Sequence, residues 1–205
     1  MTVSLTTLFL TRVLCSGMGP TECQGKDCVS LQKALARVAP GFSVVSREDV
    51  SWTCRNLFAG EPSQVQPRCP GVVAGDFNGD GLVDYALLLF RRKEPPSGRS
   101  RRVASAPRAT STFGYAEVRI MVLMSTSVSG FVLANLPNRD GRGISYPVSR
   151  QLRSVARGST IRSYDGKETV ILANPAFSSV ACESSEVIYF WDVKRKSFRR
   201  MWEGD

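Results

Sequence analysis

The chain has 205 residues and a formal net charge of +9, which arises from 27 basic and 18 acidic residues. With 42% hydrophobic and 22% charged residues, it has the composition of a globular protein that can bury a sizeable core. It contains no histidine, which excludes Ser-His-Asp and Cys-His catalysis, HExxH zinc sites and imidazole proton transfer. No apolar run reaches the roughly 18 to 20 residues that a membrane helix needs, so we expect no membrane span.

The N-terminal segment from Val3 to Leu14 is mostly apolar and is followed by small residues. This pattern is typical of the end of a secretory leader. No basic residue precedes the segment and Arg12 interrupts it, so a simple N-terminal core segment is an alternative. We predict a degenerate leader or a disordered N-terminus over residues 1–19, and a single domain over residues 20–205.

The next segment, 30–38, predicts one amphipathic helix that ends before Pro40 and Gly41. Its apolar residues recur at helical spacing: Leu31, Ala34, Leu35 and Val38.

From Phe42 onward, short β-branched or aromatic segments alternate with Gly, Pro, Asn or Asp, which indicates strands. Two of them, 85–90 and 118–124, are almost continuously apolar, so we expect central strands that are covered on both faces. The sequence therefore predicts an α+β fold, a mostly antiparallel β-sheet with one N-terminal amphipathic helix. The predicted strands lie at 42–45, 71–74, 85–90, 116–124, 131–133, 169–173, 186–191 and 198–202.

The C-terminal segment predicts an aromatic-rich β-hairpin, with a polar turn from Asp192 to Ser197. Its aromatic side chains could form a platform for a sugar or a nucleotide. Cross-strand packing that closes the core is the interpretation we favour.

A basic segment follows the strand at 85–90. Between Arg91 and Arg108 the chain has seven basic residues and one acidic residue, Glu94. Such a segment, rich in Pro and Ser and poor in apolar residues, predicts a solvated, disordered loop at 91–112 between two neighbouring strands. A polyanion-binding arm is the alternative, although no aromatic residue is interleaved with the charges as stacking on a single strand would require.

The six cysteines form no CxxC pair, which disfavours a zinc site and favours disulfides in an oxidising compartment. We predict first a bridge between Cys54 and Cys69, because closing that Pro-rich loop would contribute roughly 3 kcal/mol. Cys23 and Cys28 could form a local clip, which leaves Cys182 unassigned. Buried free thiols in a cytosolic protein are the alternative.

The sequence DFNGDGLVD at 76–84 has oxygen-bearing side chains at its first, third, fifth and ninth positions. Alternate side chains of such a loop point inward, as a hard cation requires, and the glycine at the sixth position permits a sharp turn. The main-chain carbonyl at the seventh position can supply a further ligand. The segment therefore predicts a calcium site with these ligands: Asp76, Asn78, Asp80, the Leu82 carbonyl and Asp84.

An EF-hand does not explain this loop. An EF-hand needs a bidentate acid at the twelfth position, which is Leu87 here, and its flanks are helices rather than strands. A turn of Asp, Asn and Gly that binds nothing is the remaining alternative.

The pattern DxDxDGxxD between two strands resembles the calcium loop of FG-GAP and VCBS-type repeats, which form the blades of integrin-α-like β-propellers. The resemblance covers roughly residues 71–89 and implies the ligands named above. No second copy of the motif is present. Because a propeller needs several blades, we expect a fold that is not a complete β-propeller.

The wider layout resembles small uncharacterised bacterial exported proteins that have a single GDFNGDGxxDYA loop. The shared features are Cys-Pro-Gly at 69–71, Cys-Glu-Ser at 182–184 and an aromatic ending at 189–205. The resemblance implies a periplasmic or secreted protein and no particular activity.

We therefore predict a calcium-binding exported module in which the ion is structural, with no catalytic residues. We do not expect Glu183 and Glu186 to act as a glycosidase pair, because residues three apart on a strand face opposite sides, and we interpret them as residues at a strand end. The alternative is an envelope interaction or inhibitor module that uses the basic 91–112 loop. For partners we expect an unknown protein or acidic partner, no nucleic acid, no membrane span, and a monomer.

Overall fold

The structure is a computed structural model that describes residues 26–51, 54, 70–93, 115–128, 130–137, 144–145, 148–182 and 185–203. These residues form one α-helix and twelve β-strands. Every pair of named strands is antiparallel. The predicted α+β class is confirmed, and the described part of the chain forms neither a closed barrel nor a propeller.

Helix α1 spans Lys26–Val38 and begins four residues before the predicted start. Its apolar stripe is buried, with Leu31 and Leu35 at most 2% exposed. The last turn is closed by the N–H of Ala39, which donates to the Leu35 carbonyl at 2.8 Å. Gly41 then has a φ of +76°, a conformation that glycine adopts without a steric penalty, and the chain reverses there.

The first sheet has six strands in the order β1-β3-β4-β5, with β2 also paired to β3 and β6 to β4. The long strands β3 and β4 form its centre, as their continuous apolar sequences predicted. The bounds are β1 Ser43–Val44, β2 Val72–Gly75, β3 Asp84–Lys93, β4 Tyr115–Thr126, β5 Gly130–Ala134 and β6 Ile144–Ser145.

The second sheet has four strands in the order β12-β11-β10-β7, and a separate two-stranded sheet pairs β8 with β9. Strands β11 and β12 form the predicted C-terminal hairpin. Tyr189 and Phe198 are at most 4% exposed in the core, as the packing interpretation predicted. The bounds are β7 Arg150–Val155, β8 Thr160–Arg162, β9 Thr169–Ile171, β10 Ala176–Ala181, β11 Ser185–Asp192 and β12 Ser197–Glu203.

Three apolar clusters hold these layers together. The largest joins the two sheets and includes Leu88 from β3 and Phe177 from β10. A second lies between α1 and the opposite face of the first sheet, where Leu31 and Leu87 are fully buried. The third packs the β8–β9 sheet, through Ile161, on the outer face of the second sheet. The order of layers is therefore helix, first sheet, second sheet and small sheet.

The predicted Cys54–Cys69 bridge is wrong, because Cys54 is bonded to Cys182. The two cysteines are 128 residues apart in sequence, and their Cα atoms are 5.0 Å apart. Both are at most 5% exposed in the cluster between the sheets. The predicted pair was chosen for its proximity in sequence, whereas here the tertiary fold brings residues 128 positions apart together.

The predicted loop at 91–112 begins too early. Strand β3 continues to Lys93, which pairs with Tyr115 of β4, so Arg91 and Arg92 are strand residues. Residues 94–114 lie outside the described residues, as do the predicted leader at 1–19, Cys23 and Cys69, and the Cys28 side chain.

None of the helical residues that the structure describes forms a segment with the length and apolar character required to cross a bilayer.

Candidate functional site

The predicted calcium loop connects β2 to β3. These two strands are antiparallel neighbours, and Gly75 at the end of β2 pairs with Asp84 at the start of β3. The intervening residues 76–83 therefore form the connection of a β-hairpin, with no regular structure of their own. All five predicted ligand residues lie in this connection or at its closing pair.

The Asp76 carboxylate organises the loop from inside. Its Oδ1 accepts the main-chain N–H groups of Gly79 at 2.8 Å and Asp80 at 3.0 Å, and its Oδ2 accepts that of Gly81 at 2.9 Å. Three consecutive main-chain donors thus converge on one side chain. A short acidic side chain that binds the main chain ahead of it favours a tight turn over a strand or a helix.

Asn78 and Asp80 fix the far side of the loop. Asn78 Nδ2 donates to Asp80 Oδ2 at 2.8 Å, and Asn78 Oδ1 accepts the main-chain N–H of Asp80 at 2.9 Å. Asp80 Oδ1 accepts the N–H of Leu82 at 2.9 Å. These two side chains therefore lie next to each other, as the alternate spacing of potential ligands predicts.

Asp84 is the buried member of the set, with no exposed surface. Its Oδ2 accepts the N–H of Phe77 at 3.1 Å, and its Oδ1 accepts the N–H of Ser125 on β4 at 2.8 Å. Burial raises the pKa of Asp84 to about 6, and the negative charges of Asp80 and Asp76 act in the same direction. The hydrogen bonds from Ser125 and Phe77 lower this pKa but do not outweigh burial.

Two glycines allow the loop to turn so tightly. Gly79 has a φ of +80° and Gly81 a φ of +85°, which is the left-handed region that residues with a Cβ rarely adopt. Gly79 also lies against Asn174, whose Oδ1 would be 2.8 Å from a Cβ at that position, whereas nothing lies within 4 Å at Gly81. At Gly79 the left-handed backbone favours glycine, and an added Cβ would also force the Asn174 side chain to shift.

The loop is anchored to the second sheet through Phe77. This side chain is fully buried, and its ring centre lies 5.4 Å from that of Phe177 and 6.2 Å from that of Phe198. The Phe77 carbonyl accepts a hydrogen bond from Asn174 Nδ2 at 3.2 Å. On the side of the first sheet, the Ser125 hydroxyl donates to the Val83 carbonyl.

Sequence reasoning missed these supporting residues. Ser125 and Asn174 are 41 and 97 residues away from the loop residues that they bind. Neither belongs to a recognisable motif, so no local pattern indicates them. Phe77 does lie inside the motif, between two potential ligands. An apolar residue at such a position is the one sequence feature that could have indicated a side chain that anchors the loop in the core.

The loop acids lack basic partners among the residues that the structure describes. In the described ranges, no lysine or arginine forms an ion pair with Asp76, Asp80 or Asp84. In the same ranges, no group of three or more Cys, Asp or Glu side chains is arranged so that it could hold a metal ion. Oxygens of the three carboxylates accept main-chain N–H groups instead.

Comparison of the chain with protein-family models, with curated proteins and with solved structures finds no match. The resemblance to FG-GAP and VCBS-type loops therefore stays a prediction from the motif.

Proposed function

We propose that the protein is a calcium-binding module in which Ca²⁺, held at the 76–84 loop, stabilises the fold. One observation carries this proposal: three aspartates of one short loop lack a basic partner in the described structure, although the chain carries a net charge of +9. Charges of like sign this close repel one another, and a divalent cation would offset that repulsion.

The chemistry of the donors suits calcium. Ca²⁺ takes carboxylate, amide and main-chain carbonyl oxygens in a flexible shell, which is the set that Asp76, Asn78, Asp80, Leu82 and Asp84 offer. The hydrogen bonds within the loop do not prevent coordination, because a carboxylate oxygen that accepts an N–H keeps a further lone pair. They place Asn78 beside Asp80, but no three acidic side chains of the described residues are arranged to hold a metal ion, so the loop would rearrange as the ion binds.

The ion's role in this proposal is structural, and no catalytic step is assigned to the loop. A ligand that binds the folded chain and not the unfolded chain stabilises it by mass action, to an extent that grows with its free concentration. Because Phe77 and Asp84 join the loop to both sheets, ion binding would restrain the packing of one sheet against the other.

We propose that the protein functions outside the cytoplasm, in the periplasm or after secretion. Extracellular calcium modules have dissociation constants of about 10⁻⁴ to 10⁻³ M, too weak to be filled at cytosolic calcium concentrations. The Cys54–Cys182 disulfide is compatible with an oxidising compartment.

Thermal unfolding of the full chain with EDTA, with calcium and with magnesium tests the calcium proposal. We expect calcium to raise the melting temperature above the value in EDTA, and magnesium to raise it less. The informative variant is Asp80→Asn, because it removes one charge while the amide oxygen can still accept the Leu82 N–H.

Asp165→Asn is the matched control. Asp165 also lies in an exposed turn before a glycine, where its Oδ1 accepts the Lys167 N–H at 3.2 Å, but here both acids of the β8–β9 connection have basic partners, Lys167 for Asp165 and Arg199 for Glu168. We expect Asp80→Asn to lose most of the calcium response and Asp165→Asn to keep it. An absent calcium response in the wild type would show that the loop is a turn without an ion, and a response unchanged in Asp80→Asn would mean that the Asp80 charge does not contribute to the site.

A further inference from the structure

Four side chains form an arginine cluster on the face of the first sheet that also packs against α1: Phe42, Arg91, Glu117 and Arg119. On the central strands Arg91 pairs with Glu117, and the adjacent pair on the same face is Leu89 with Arg119. Directly opposed residues in an antiparallel pair point to the same side of the sheet. The three charged side chains therefore emerge side by side.

Glu117 holds both arginines. Its side chain is only 10% exposed, and its Oε2 accepts a hydrogen bond from Arg91 Nη2 at 2.6 Å. Its Oε1 accepts hydrogen bonds from Nε of Arg119 at 2.8 Å and from Nη2 of the same residue. Two guanidinium groups thus share one carboxylate, so the cluster keeps a net positive charge.

Phe42 supports the same two arginines from below. The guanidinium carbons of Arg91 and Arg119 lie 4.8 Å and 4.6 Å from the centre of its ring, within the range of a cation–π contact. Phe42 itself is 7% exposed. Because carboxylate and ring together restrict the guanidinium groups, a ligand that binds them meets side chains that have already lost much of their conformational freedom.

The outer sides of the two arginines remain open to solvent. Their side chains are 42% and 46% exposed, and each guanidinium has N–H groups that Glu117 does not occupy. We propose that Arg91 and Arg119 form a docking surface for an acidic segment of a polypeptide, whose carboxylates they bind. This inference does not depend on the calcium proposal, because no residue of the 76–84 loop takes part.

The chemistry of the cluster favours carboxylates on a polypeptide over other anions. A planar guanidinium matches a carboxylate in a bidentate pair, and the +9 net charge of the chain attracts acidic partners over a distance. Nucleic acid is less favoured, because Phe42 is covered by the two guanidinium groups and offers no face on which a base could stack. A membrane is less favoured as well, since none of the large exposed apolar side chains of the described part belongs to this cluster.

Binding of a labelled oligo-glutamate peptide to the full chain, followed by fluorescence anisotropy, tests the proposal. The principal variant is Arg91→Gln with Arg119→Gln. The matched control is Arg157→Gln with Arg162→Gln, which removes the same charge from two exposed arginines near β8. A third variant, Arg91→Lys with Arg119→Lys, keeps the charge and a long aliphatic side chain but loses the guanidinium forks.

Two exposed charge contacts together correspond to roughly a tenfold change in affinity, so we expect the principal variant to bind about tenfold more weakly. The control should stay within about twofold of the wild type, and the lysine variant should lie between the two. Melting curves show whether each variant is folded. If the Arg91→Gln, Arg119→Gln variant does not fold, the affinity of the lysine variant tests the proposal instead.

Several outcomes would overturn the proposal. An equal loss of affinity in the principal variant and the control would mean that the peptide responds only to total charge. Unchanged binding in the principal variant would mean that the cluster is a stabilising ion pair and nothing more. Tighter binding to single-stranded DNA or to anionic lipid vesicles than to oligo-glutamate, lost in the same variant, would assign the surface to a different partner.

Discussion

Asn174 Nδ2 donates a 3.2 Å hydrogen bond to the main-chain carbonyl of Phe77, across a sequence separation of 97 residues. This bond connects the 76–83 loop to the turn that precedes β10. The same asparagine side chain lies against Gly79. Asn174 therefore anchors the loop and also leaves little space for a side chain at position 79. The shape of the loop therefore depends on a tertiary contact as well as on its own sequence.

The contact between Gly79 and Asn174 leads to a prediction about stability. Gly81→Ala places a Cβ in open space at a φ of +85°, so we expect only the cost of the left-handed backbone, about 1 to 2 kcal/mol. Gly79→Ala combines a similar cost with a Cβ that lies 2.8 Å from Asn174 Oδ1, so we expect a larger loss. Urea unfolding of both variants in EDTA measures the difference.

A double-mutant cycle separates the two causes. In an Asn174→Ala background the clash is absent, so Gly79→Ala and Gly81→Ala should lower the free energy of unfolding by similar amounts. If Gly79→Ala costs no more than Gly81→Ala in the wild-type background, the loop does not lie against Asn174 as described.

The elements that the sequence predicted correctly have strong local patterns. The helix has its apolar residues on one face, and β3 and β4 contain the almost continuously apolar runs at 85–90 and 118–124. Four strands, β6, β7, β8 and β10, were missed; β6 and β8 are only two and three residues long, and the sequences of β7 and β10, RQLRSV and AFSSVA, are rich in polar or small residues. Ser178 and Ser179 of β10 are at most 2% exposed, yet their hydroxyls have no hydrogen-bond partner among the described residues. Their burial follows from the neighbouring strands, which no local pattern shows.

In the candidate site too, the residues that belong to a local pattern were predicted and the residues that come from distant segments were not. All predicted ligands lie within nine consecutive residues, so their proximity follows from turn chemistry that sequence alone specifies. The residues that hold the loop in place, Ser125 and Asn174, come from distant segments. The Cys54–Cys182 bridge was beyond sequence reasoning for the same reason.

Phe77 should be the main packing anchor of the loop. Truncating a fully buried phenylalanine typically costs about 3 to 5 kcal/mol, so Phe77→Ala should lower the free energy of unfolding by that amount. The control in the same loop is Val83→Ala, because Val83 is 51% exposed and its truncation should change stability by less than about 0.5 kcal/mol. Both measurements belong in EDTA, so that packing is separated from calcium. Similar small effects for the two variants would contradict the described burial of Phe77.

Glu203 provides a prediction about pH. It is directly opposite Glu186 on β11, and burial together with the charge of Glu186 raises the pKa of Glu203 above its ordinary value of 4.5. A raised pKa in the folded state means that the folded chain binds the proton more tightly. The stabilising contribution is therefore complete below pH 4.5 and is lost as pH rises through the folded pKa.

The test compares Glu203→Gln with the wild type across this range. The variant should gain stability relative to the wild type as pH rises above 4.5, by less than about 1 kcal/mol, as for other opposed like charges on a sheet. Glu168→Gln is the control, because its effect on stability should have the opposite sign. Glu168 accepts a 2.7 Å hydrogen bond from Arg199, so its replacement should lower stability at neutral pH. Parallel pH profiles for Glu203→Gln and the wild type would show that folding does not raise the pKa of Glu203.

The disulfide between Cys54 and Cys182 should contribute more to stability than the short bridge that the sequence suggested. In the chain-entropy description, the stabilisation grows with the length of the closed loop, so a separation of 128 residues corresponds to about 5 kcal/mol, against about 3 kcal/mol for a 15-residue loop. Replacing both cysteines with alanine should therefore destabilise the chain strongly.

Peptide mapping without reduction should recover a linked pair with Cys54 and Cys182, and Cys182→Ala alone should release one free thiol at Cys54. A Cys54–Cys69 peptide would contradict the structure, whereas freshly isolated protein with both Cys54 and Cys182 reduced would count against an oxidising compartment.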